Sequence, residues 1–79
     1  MNKRLEVILA EVFDLRESDI HIGLDRADVG TWDSLKQMDL VVTLEKEYAI
    51  ALDIPDILKM TSVAGIVDVL REKEVDLGN

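Results

Sequence analysis

The sequence predicts an all-α protein: a small bundle of three main helices plus a short extra helix, with a long loop between helices one and two. Three observations lead there. Apolar residues recur at steps of three and four near both ends and in the middle of the chain. No stretch alternates apolar and polar residues long enough for a paired strand. Finally, 79 residues leave room for a single domain, 1–79, too small to enclose a roomy catalytic cleft.

Residues 2 to 15 place Leu5, Ile8, Leu9, Val12 and Phe13 on one face and Lys3, Arg4, Glu6, Glu11 and Asp14 elsewhere, which defines helix one. From Arg16 to Trp32 the periodicity dissolves into Glu17-Ser18-Asp19, Ile20-His21-Ile22, Gly23 and Gly30. This reads as a long ordered loop pinned by Ile20, Ile22, Leu24 and Val29, and a loop of that length in so small a domain usually has a function. Helix two starts at Asp33 or Ser34, both good N-caps, and runs to about Tyr48 without Gly or Pro. Ala49 to Ile54 alternates too briefly for a strand, and Pro55 suits the first position of a short helical turn through about Met60. Thr61 and Ser62 offer caps for a last helix carrying Val63, Ile66, Val67 and Leu70 on one face, with Arg71 and Lys73 favourable to its C-terminal dipole. Val75 to Asn79 is expected to fray.

Composition excludes several classes of function. Lys and Arg total 9 against 17 Asp and Glu, a formal net charge of -8, so the chain repels nucleic acid and anionic lipid and suits basic protein partners. A hydrophobic fraction of 48% interrupted by 33% charged residues fits neither a disordered tail nor a membrane span. With no cysteine there is neither a disulfide nor a thiolate site, and residues 1–6 lack the apolar core of a signal peptide, so a cytoplasmic location is expected. His21, the single histidine, lacks partners for a metal site, and Glu45, Glu47, Asp53 and Asp56 lack the spacing of a calcium loop, so no metal is expected. Ser34, His21 and Asp33 do not form a hydrolase triad, because adjacent Asp and Ser at a helix start point in different directions. No catalytic residue is assigned.

Helix two carries more apolar surface than one core contact needs. Val41, Leu44 and Tyr48 form one stripe with Leu40 beside it; Leu35, Met38 and Val42 form another, rotated away. The second stripe is either covered by the long loop or left exposed as a docking surface. Between Asp33 and Asp56 stand six acids (Asp33, Asp39, Glu45, Glu47, Asp53, Asp56) and two bases (Lys36, Lys46), so an exposed stripe would be rimmed by negative charge. Ser34 has two readings as well. Ser34-Leu35-Lys36-Gln37 fits an S-x-x-Q capping box, in which the hydroxyl only satisfies a backbone N–H. Alternatively Asp33 is the cap, leaving Ser34 at the first helical position with its hydroxyl in solvent, where an attached phosphate would meet free N–H groups and the positive end of the dipole.

At these residues the chain resembles the acyl carrier proteins, whose hallmark is Asp-Ser-Leu at the start of helix two with phosphopantetheine on the serine; here it is Asp33-Ser34-Leu35. Asp28-Val29-Gly30 is similar to the family's Asp-Leu-Gly, Leu40-Val41 and Leu44-Glu45-Lys46-Glu47-Tyr48 to its Leu-Val and Leu-Glu-Glu-Glu-Phe, and Thr61-Ser62-Val63 to its Thr-Thr-Val. From Asp33 to Leu70 the match runs without a gap. The resemblance implies a non-enzymatic carrier with phosphopantetheine, drawn from coenzyme A, on Ser34. It also implies that Asp33, Leu35, Met38, Asp39, Val42 and Glu45, joined by Ile54, meet a phosphopantetheinyl transferase, an acyl-loading ligase or acyltransferase, and downstream enzymes with basic docking surfaces. The thiol of the arm would hold acyl intermediates of fatty-acid-like, polyketide or other specialised biosynthesis on a monomeric protein.

Departures from the pattern narrow the class. Trp32 stands where fatty-acid carriers have a small residue, one extra residue separates Gly30 from Asp33, and Lys36 interrupts an acidic face. Trp32-Asp33-Ser34-Leu35 is more similar to stand-alone carriers of specialised pathways; apart from any ligand role, Trp32 suits packing of the loop onto the bundle. Two other readings use the same residues: an aminoacyl or peptidyl carrier, and a non-covalent acidic helical adaptor in which Ser34 is only a cap.

Overall fold

The computed structural model describes residues 1–78. Four helices follow one another: α1 Lys3–Phe13, α2 Ser34–Tyr48, α3 Ile54–Lys59 and α4 Val63–Glu72, with 3-10 turns at Glu17–Asp19 and Arg26–Asp28 in the long loop. Helix α1 is capped by Asn2, whose Oδ1 accepts from Leu5 N at 2.9 Å. Helix α3 starts one residue before Pro55, capped by Asp53, and Ser62 Oγ caps α4 by accepting from Gly65 N at 2.9 Å. Among the described residues there is no strand, only an isolated antiparallel bridge between Asp25 and Ser62. No helix among the described residues is long and apolar enough to cross a membrane.

Three helices end alike. After α1 and α2 and just beyond α4, a left-handed residue (Asp14, Ala49, Glu74) turns the chain. The next N–H then bonds a carbonyl five residues back: Leu15 to Ala10, Ile50 to Glu45 and Val75 to Leu70. Leu15, Ile50 and Val75 pack against the core at these ends, the hydrophobic contact that normally accompanies this closure. None of the three left-handed positions is glycine, so residue identity did not announce them.

The core follows the predicted faces. Leu5, Leu9 and Phe13 of α1, Leu40 and Leu44 of α2, and Val63, Ile66 and Leu70 of α4 are fully buried, together with Met60 from the end of α3. The loop is ordered, as expected, because it is hydrogen-bonded to the α3–α4 junction: Arg26 N donates to Thr61 O and Val63 N to Leu24 O, each at 2.9 Å. Ile20, Leu24 and Val29 are buried beneath it. Ile22 is not: it is 56% exposed because the chain turns at Ile22–Gly23 and breaks the alternation that would have returned it to the core. Nor does the tail fray over its described part. Leu77 is buried, and Asn2 Nδ2 donates to Leu77 O at 2.8 Å, tying the two ends of the fold together; Asn79 lies outside the described residues.

Short α3 is held against α4 by backbone proximity and by charge. A Cβ on Gly65 would stand 2.1 Å from Lys59 O, so only a residue without a side chain admits this approach. Lys73 Nζ lies 2.9 Å from Asp56 Oδ2 and Lys59 Nζ 3.3 Å from Glu72 Oε1. The Lys73 ammonium, with help from the Asp53 N–H, lowers the Asp56 carboxyl to about 2.

Candidate functional site

The segment leading into α2 is anchored residue by residue. Thr31 Oγ1 donates to Phe13 O at 2.7 Å, and the Trp32 ring stacks on Phe13 with centroids 4.3 Å apart. Arg26 Nε donates to Trp32 O at 3.1 Å. Trp32 is buried, so it does pack the loop onto the bundle as its chemistry suggested. Asp33 then adopts an extended backbone, and its Oδ1 accepts from Lys36 N at 2.9 Å.

This resolves the competition between Asp33 and Ser34. Asp33 is the cap and Ser34 the first residue of α2. Its side chain is exposed, and no described residue bonds its hydroxyl. The S-x-x-Q capping box does not form, because Gln37 faces the interior: its Nε2 donates to Met60 O at 3.1 Å and Ile57 O at 3.3 Å, and its Oε1 accepts from Trp32 Nε1 at 2.6 Å. An amide on the buried face of a helix must find such partners, and these three remove it from capping. Gln37 is the residue that sequence reasoning missed. The signal was there, since Gln37 stands three, four and seven residues before Leu40, Val41 and Leu44 and so continues their buried line.

Beside Ser34 the second stripe is exposed rather than covered by the loop: Leu35 is 79%, Met38 52% and Val42 59% exposed, and together with Lys36 and Asp39 they line one shallow groove. Asp39 in that lining and Asp33 at the helix cap are both exposed. Glu45 is half-buried and turned toward the following loop, its Oε2 accepting from Leu52 N at 2.9 Å. Lys36 Nζ lies 3.6 Å from Asp14 Oδ2, so the interrupting positive charge is directed at the end of α1. Ile54, 72% exposed, sits on α3 rather than on this groove, and Leu58, equally exposed one turn further on, was not anticipated. His21 is a loop residue whose Nδ1 accepts from Gly23 N at 3.2 Å.

Comparison with known proteins defines the class. The family described as "Phosphopantetheine attachment site" matches residues 3–70. The chain is also 30% identical over 71 residues, 90% of its length and 82% of the relative's, to "Polyketide-8 synthase acyl carrier protein 2" of Streptomyces avermitilis. The chain belongs to the acyl carrier protein family, whose members hold phosphopantetheine covalently and act as carriers, not enzymes. That role brings it into contact with a phosphopantetheinyl transferase and with biosynthetic enzymes.

Proposed function

We propose that Ser34 carries the phosphopantetheine arm and that residues 1–79 act as one monomeric, cytoplasmic carrier domain shuttling acyl thioesters between enzymes of specialised biosynthesis. Of the pathway classes open to it, polyketide biosynthesis is favoured by the name of the Streptomyces relative. The observation that carries the reading is the division of labour at the helix start: Asp33 does the capping, so the Ser34 hydroxyl is left exposed and chemically unspent.

The residues present fit the group. A phosphodiester on Ser34 Oγ would stand at the positive end of the 15-residue α2, next to the N–H groups of Ser34 and Leu35, which bond no described residue. Once bound, the arm supplies a thiol that holds the cargo as a thioester. The protein holds the attachment point still through Trp32, Arg26 and Thr31, and it presents an address. Exposed Leu35, Met38 and Val42 supply apolar contact, while exposed Asp33 and Asp39 favour enzymes with basic docking surfaces; Glu45, turned toward the following loop, and Ile54, on α3, would add partner contacts outside this groove. A net charge of -8 keeps such a patch-bearing protein apart from its own copies.

The test is intact mass after incubation with coenzyme A and a broad-specificity phosphopantetheinyl transferase, beside a Ser34→Ala control. One added phosphopantetheine in the parent and none in the control is the expected result. No gain in a folded parent would reject Ser34 and leave the non-covalent acidic adaptor as the better account.

A further inference from the structure

A carrier with a tethered apolar cargo has to decide where that cargo sits, because an alkyl chain gains free energy by leaving water for the nearest apolar interior. In this bundle the side of α2 facing α3 is closed by a polar clamp. Gln37 is one of only two buried polar or charged residues among those described, and both ends of its amide are engaged: Oε1 by Trp32 Nε1, Nε2 by Met60 O and Ile57 O. Each partner depends on the others. Among the described residues Trp32 Nε1 has no other acceptor, and Met60 O is one of the carbonyls at the α3 end that a helix leaves unpaired. Helix α3 is tied on its other side too, by the close approach of Lys59 O to Gly65 and by the Asp56–Lys73 ion pair.

A chain entering between α2 and α3 would have to part Gln37 from these groups and strand an indole N–H, a carbonyl and an amide in a dry interior. Leaving such groups unpaired opposes burial on the scale that several methylenes favour it. We propose that the Trp32–Gln37–Met60 clamp keeps acyl cargo out of the bundle, so that Gln37 is a specificity-determining residue and the carrier suits short or polar acyl groups, which gain little from burial. The proposal rests on the carrier reading of Ser34.

The single tryptophan makes the clamp directly observable. Acetyl and octanoyl forms are prepared by transferring the corresponding acyl-phosphopantetheine from coenzyme A thioesters, and the Trp32 indole N–H resonance, its hydrogen-exchange rate and the Tm are compared. The expected result is no difference between the two forms of the parent, whereas in Gln37→Leu the octanoyl form melts several degrees above the acetyl form. An octanoyl-dependent shift of the indole proton or rise of Tm in the parent overturns the proposal. So does a folded Gln37→Leu carrier that gains nothing from octanoyl. If Gln37→Leu does not fold, the parent comparison still decides. Failure of the arm to attach, seen by mass, rejects the Ser34 reading instead. The clamp is then tested on Ser34→Cys, the sole thiol of that chain, carrying methyl- or octyl-terminated maleimides on a spacer of pantetheine length.

Discussion

Gly65→Ala probes the close approach of the α3 backbone to α4. The added Cβ would lie 2.1 Å from Lys59 O and 3.3 Å from Lys59 C and Ser62 Oγ. Carbon–oxygen contacts settle at about 3.3 Å or more, so α3 must retreat by roughly 1 Å. The atom in the way is main chain, with no rotamer to relieve it. Overpacking of this kind costs about 1–3 kcal/mol. The same retreat carries Met60 O and Ile57 O away from Gln37 Nε2, which they accept from at 3.1 and 3.3 Å, and unpaired buried groups add about 1–3 kcal/mol. Against this, alanine is a better helix former than glycine by about 1 kcal/mol. The balance is a loss of about 1–5 kcal/mol, which in a domain of this size lowers Tm by on the order of 5–40 °C. Thermal unfolding followed by far-ultraviolet circular dichroism measures it, with Gly30→Ala as control because a Cβ there meets nothing within 4 Å. A Gly65→Ala protein as stable as the parent would mean that helix propensity outweighs the contact and that the α3–α4 approach is not what positions α3.

Other consequences are as accessible to measurement. Ala49 ends α2 at φ 52 and ψ 49, so Ala49→Gly relieves a left-handed backbone and should gain about 0.5 kcal/mol after the entropy of the unfolded glycine is counted; a lower Tm would speak against that. The Asp56 carboxyl is lowered from 3.8 to about 2, chiefly by Lys73. A group depressed in the folded state stabilises above its unfolded value, so this contribution is complete above about pH 4 and disappears as the pH falls toward 2. Lys73→Met should therefore flatten the acid limb of the Tm–pH curve, and parallel curves for parent and variant would exclude the ion pair as a source of stability. Because the pair ties α3 to α4, hydrogen exchange at the α3 amides should accelerate in the same variant while α1 stays protected.

The chain's own spacing was enough for the helices, because periodicity reports which face of a helix is wet, and the faces of α1, α2 and α4 are those its apolar residues define. It also placed Asp33-Ser34-Leu35 at a helix start and made Trp32 a packing residue. What it left open were choices between adjacent or equivalent groups. Asp33 and Ser34 both offer an oxygen to the same first turn, and the extended backbone at Asp33, set by the anchors on Thr31 and Trp32, decided which one is used. Two apolar stripes on α2 look alike on a wheel, yet only packing against α1 and α4 could bury one and expose Leu35, Met38 and Val42. Gln37 read as half of a capping box until Trp32 Nε1 and the α3 carbonyls arrived within hydrogen-bond distance from elsewhere in the chain. Leu77, placed in a fraying tail, is buried because Asn2 lies 75 residues away in sequence and one hydrogen bond away in space. Periodicity is a property of neighbours along the chain, whereas which polar atoms meet and which apolar face remains uncovered depend on contacts that only the folded bundle creates.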